Sequence, residues 1–128
     1  MIQMDGETQT GNLLSIIIGD DMNEPTKAIQ FLIDTAPLYA KAKADRMYLE
    51  EFRKSRKAQL MSQAGTEVLG KQEVYAYAHE DYGVILRGIR EAVETEEKYR
   101  WLMTAAQARI ECWRTEQYSA RMEMKATQ

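Results

Sequence analysis

The chain has 128 residues, 45% of them hydrophobic and 29% charged, with 17 basic and 20 acidic side chains and a formal net charge of −3. That length supports one domain, and the balance is that of a globular or long-helical chain, not an unfolded one. Few glycines (7) and prolines (2) exclude collagen-like and turn-dense all-β architectures, one cysteine excludes a disulfide framework or multi-thiolate zinc site, and one histidine excludes a histidine-rich metal centre. No phosphate-binding glycine loop, nucleophile elbow or metal-ligand spacing occurs. The reading is therefore non-enzymatic, with no cofactor and no metal.

Residues 1–25 read as an N-terminal arm ahead of one helical domain over 26–128. Residues 1–12 are polar, with Gly6 and Gly11. Leu13 to Ile18 is an apolar patch interrupted by Ser15 and bounded by Gly19, Asp20 and Asp21. It is too short to span a membrane and follows no basic segment. Its six residues leave two readings open: a docking segment or short helix, or a strand. With the free Cys112, the expected setting is a reducing cytoplasm.

Glu24-Pro25 opens a short helix over about 26–33. Thr35-Ala36-Pro37 then reads as a fresh start, a capping-type residue followed by proline in a first turn. From there to Ala64 the chain lacks glycine and proline and is rich in good helix formers. Such a helix would run roughly 40 Å, with Gly65 as its stop. Residues 66–79 predict a shorter helix or bend around Gly70. A final helix starts at Glu80-Asp81, acids suited to a first turn, and runs to about Met122. The fold class is all-α: two long helices in an antiparallel hairpin, with short accessory helices, assembling through coiled-coil-like faces.

The final helix carries the clearest period. Steps of three and four give Tyr82, Ile85, Ile89, Ala92, Glu96, Tyr99, Met103, Ala106, Ile110, Trp113, Gln117, Ala120 and Met124, broken only by Glu96 and Gln117. That is a coiled-coil seam, and Ile85, Ile89, Tyr99, Met103, Ile110 and Trp113 are its candidate oligomer-interface residues. The first long helix has a thinner set, Leu38, Ala42, Leu49, Phe52 and Leu60. Two such faces leave apolar surface that needs a partner, so a homo-oligomer is expected.

Charge is unevenly placed. Residues 1–40 hold six acids and only Lys27, whereas 41–57 hold seven bases against Asp45, Glu50 and Glu51. Lys43, Arg46, Arg53, Lys54, Arg56 and Lys57 include a row spaced three or four apart, a set of cations able to track phosphates. The same row also reads as a solvated face neutralised by neighbouring acids. Trp101 and Trp113 lie among Arg100, Arg109 and Arg114, a pattern that can stack bases, although Trp113 belongs to the seam. Tyr75, Tyr77 and Tyr82 are expected to pack at the inter-helix corner. His79 is expected to cap or pack there, and Cys112 to sit buried near the seam.

Residues 36–121 resemble phage recombination-mediator proteins of the UvsY type. The resemblance rests on Arg-Lys-Ala-Gln-Leu-Met-Ser-Gln-Ala-Gly at 56–65, Tyr-Gly-Val-Ile-Leu at 82–86, the pattern from Lys43 to Ser55, and Trp-Arg-Thr at 113–115. It implies helical subunits that self-associate into rings, bind single-stranded DNA and help load a RecA-type recombinase onto strands coated by single-strand-binding protein. It also implies that a Lys-Ala-Arg-Leu stretch contributes to DNA binding. Lys57, Ala58 and Leu60 match that stretch, and Gln59 stands in place of the arginine. The alternative is a helical scaffold or adaptor in phage assembly, or an inhibitor of a host protein, with no nucleic-acid binding.

Overall fold

The computed structural model describes residues 25–127, and over these the protein is all-α, with no strand among the described residues. Its helices are α1 (Pro25–Ser62), α2 (Leu69–Ala78) and α3 (Glu80–Ala126). Residues 1–24 of the proposed arm, with the apolar patch at 13–18, lie outside the described residues, whereas Pro25 belongs to α1.

Pro25 begins α1, as its fit to a first helical position predicts. The short helix and the separate start at 35–37 do not exist: α1 runs through Pro37 without a break. An interior proline removes one backbone donor, and here burial outweighs that loss. Ala28, Phe31, Thr35 and Ala42 are all buried and share one stripe of the helix. Gly65 supplies the stop beyond α1, at φ +68°, a conformation that favours glycine.

The chain divides into two compact units, one holding the described residues up to Leu38 with those from Tyr99 onward, the other Tyr39–Lys98. In the first, Ala28, Phe31, Thr35 and Ala106 are buried, and Tyr99, Met103, Ile110 and Trp113 are half-buried. From Arg114 to Thr127 every residue is exposed. The seam is therefore covered through Trp113 and uncovered at Gln117, Ala120 and Met124.

In the second unit, Ala42, Leu60, Ala76, Ile85 and Glu96 are buried. Arg46 bonds Glu96, a β-carbon placed on Gly88 would lie 3.6 Å from Leu49 Cδ1, and Arg56 bonds Asp81. Partners on α3 descend from 96 to 81 as α1 advances from 46 to 56, so these stretches run antiparallel. Leu60 is the largest side chain excluded wholly from solvent. It sits two residues before α1 ends, and the turn that follows opens with a Gln63 N–H to Leu60 C=O bond of 3.0 Å.

His79 joins α2 to α3. Its backbone is extended, and its Nδ1 accepts the backbone N–H of Asp81 at 3.0 Å. That fills one of the orphan donors at the start of α3, so the single histidine caps, as expected for a helix boundary.

Candidate nucleic-acid interface

The basic stretch 41–57 lies within α1, and helical geometry divides its cations between two sides. Positions 42, 46, 49, 53, 56 and 60 form one stripe at spacings of three and four, and it holds buried Ala42 and Leu60 with half-buried Arg46, Leu49, Arg53 and Arg56. Three arginines thus occupy places that an apolar seam would give to leucine. Lys43 and Lys54 are exposed. Lys57 is half-buried, its Nζ 4.6 Å from the centre of the Tyr77 ring.

Two of these arginines have carboxylate partners on α3. Arg46 donates through Nε and Nη2 to Glu96, the Nη2–Oε1 distance being 3.2 Å, and through Nη1 to Glu50 at 3.0–3.1 Å. The hydrogen bonds to Glu96 and then Glu50 hold the guanidinium well above its ordinary pKa, so it stays charged. Glu96, the break in the α3 seam, is 7% exposed and directly meets this arginine. Arg56 donates to Asp81 and, at 3.0 Å, to Gln59 Oε1.

Of the six cations that the sequence offered for nucleic-acid contact, Arg46 and Arg56 make intramolecular ion pairs and Arg53 shares their stripe. Lys43, Lys54 and Lys57 fall within one narrow arc of α1 at 100° per residue. Lys54 pairs with Glu51 at 3.1 Å, both largely exposed, a contact worth little in water. On the far side of α1 from this arc, Tyr48 and Phe52 stack with ring centres 6.0 Å apart, and both are exposed. The Lys57 ammonium is held above its usual range, first by its hydrogen bond to Tyr77 and against the opposing effect of burial.

The aromatic corner differs from the expected packed cluster. Tyr77 meets Tyr82 edge-on at 5.2 Å, and Tyr75 lies 5.8 Å from His79, yet Tyr75 and Tyr77 remain exposed. The ten-residue α2 buries only Ala76 and turns these rings outward. Cys112 is also exposed rather than buried. Ile110 and Trp113 hold the half-buried side of that turn, leaving residue 112 outside. Trp101 is exposed, with the Arg100 guanidinium 5.0 Å from its ring centre.

Of the proposed oligomer-interface residues, Ile85 is buried and Ile89, Tyr99, Met103, Ile110 and Trp113 are half-buried within a single chain. Much of this seam is therefore spent inside the subunit, and what remains for a second copy is the uncovered part of each side chain.

The Arg56 hydrogen bond, followed by the guanidinium's charge, holds the Asp81 carboxyl below its ordinary range. A depressed folded pKa contributes stability that is complete above the unfolded value, about 4, and is lost as pH falls through the folded value. In urea titrations the wild type is accordingly expected to exceed Asp81→Asn at neutral pH. The gap should close on acidification below about pH 4. A gap independent of pH would remove the ion pair from the account.

Among the described residues no three His, Cys, Asp or Glu side chains gather to hold a metal ion, and no helix is long and apolar enough to cross a membrane. No protein-family model, curated protein or solved structure matches this chain.

Proposed function

We propose that this chain is a non-enzymatic, self-associating helical protein that binds single-stranded DNA and helps load a RecA-type recombinase, the role implied by its resemblance to UvsY-type mediators. The observation that carries the DNA-binding part is the arc of α1 on which Lys43, Lys54 and Lys57 fall together, with Lys43 and Lys54 exposed. Such an arc of lysines attracts a phosphate backbone whatever its sequence. Self-association is supported by the apolar balance. Among the described residues 18 large hydrophobics are exposed against seven buried hydrophobics, a surface that favours covering by further copies. Repetition of a modest cationic face around an oligomer would raise its avidity for one strand.

Anisotropy titrations of a labelled single strand test this reading. Lys43→Glu/Lys54→Glu is expected to weaken binding by about tenfold or more at low salt without changing oligomer mass. Arg53 and Arg56 are left intact because they share the stripe of Leu60. An unchanged affinity would detach the function from this face.

A second reading, a helical scaffold or adaptor that binds only protein, is favoured by the ion pairs of Arg46 and Arg56. They withdraw two of the strongest phosphate-binding groups from the basic stretch. Under that reading the wild type shows no anisotropy change with any single strand.

A further inference from the structure

The uncovered end of α3 sorts its charges by side. At 100° per residue, Arg114, Tyr118, Arg121 and Lys125 fall on one stripe, spaced four, three and four apart. Glu116 and Glu123 project from the opposite side. All six residues are exposed, Tyr118 at 65%. Arg114 reaches Glu111 at 3.4 Å, with both side chains about 70% exposed, so water competes freely for that pair. No ion pair involves Arg121 or Lys125 among the described residues. Trp113, Arg114, Gln117, Tyr118 and Arg121 line a shallow cleft along this stretch.

We propose that this stripe is a contact site for single-stranded nucleic acid, separate from the lysine face of α1; the proposal rests on the reading that the protein binds single-stranded DNA. Arg114, Arg121 and Lys125 lie along about 16 Å of helix and take the backbone phosphates. Tyr118, set between the cations, stacks an unpaired base, and Gln117 offers hydrogen bonds to a base edge. The chemistry selects an unstacked strand over duplex, because a paired base has no free face for Tyr118. An anionic membrane is a poorer match. A surface-lying helix needs an apolar side opposite its cations, and that side carries Glu116 and Glu123.

The test measures anisotropy of a labelled oligothymidylate of about 30 nucleotides against the full chain at several salt concentrations. Tyr118→Ala is expected to weaken binding roughly tenfold, the worth of one stacked base. Arg121→Gln/Lys125→Gln should lower the slope of log affinity against log salt by about 1.4, two phosphate contacts on a single strand. Circular dichroism and molecular mass by light scattering should match the wild type. Photo-crosslinking of unmodified protein to a 4-thiothymidine strand should label residues 114–125, a readout that needs no variant.

Wild-type binding that both variants leave unchanged, with crosslinks confined to α1, overturns this site and spares the lysine face. Absence of wild-type binding at low salt overturns both. Weakened binding accompanied by a fall in mass overturns it too, assigning the stripe to a contact between copies. Capture by phosphatidylserine vesicles without binding to the oligonucleotide overturns it in favour of a membrane.

Discussion

Leu60→Ala is expected to lower the unfolding free energy by about 2–5 kcal/mol, the range for deleting a fully buried leucine side chain. Leu60 has no solvent exposure and is the largest side chain of which that holds among the described residues. Single domains have only about 5–15 kcal/mol in reserve, so the variant should unfold at markedly lower urea with an unchanged slope. Leu60→Met, of similar volume, should cost less than about 1.5 kcal/mol. Equal losses for the two variants would show that packing at this position is not the cause.

The second large effect is expected at Glu96. Glu96→Ala leaves Arg46 half-buried with only Glu50 as a partner, and the loss of stability should exceed that of Glu50→Ala several-fold. The reason is asymmetric. Glu50 is an i,i+4 neighbour near the surface, a class of pair with small effects. Glu96 is the buried carboxylate from another helix, and removing one member of such a pair strands the other. Arg46→Met/Glu96→Leu removes both charges together, and its stability should recover to near or above the wild type. A double variant as unstable as Glu96→Ala would mean that the pair contributes beyond mutual neutralisation.

The all-α class was legible because α1 and α3 consist of strong helix formers between clear stops, and the α3 period from Tyr82 to Trp113 matches the side that the chain covers. What escaped reading was the α1 side of that packing. A stripe containing Arg46, Arg53 and Arg56 does not register as apolar, so the arginines join the nearby lysines as one cationic row. The missing signal was present as Glu96, an acid at a seam position whose natural partner is a base on the facing helix. Pro37 misled for a related reason: a stop signal acts locally, whereas the buried stripe from Ala28 to Ala42 acts over several turns.

The Arg46–Glu96 pair also bears on how this sequence can drift. Much of the α3 seam consists of alanine, isoleucine and methionine, side chains that tolerate exchange at similar volume. Positions 46 and 96, fifty residues apart, lack that freedom. A helix slid by one heptad would set Arg46 against Ile89, and a lone substitution at either site leaves an unmatched charge. Descendants of this chain should therefore change the two positions as a linked pair, either swapping their signs or losing both charges, while the seam around them varies one residue at a time.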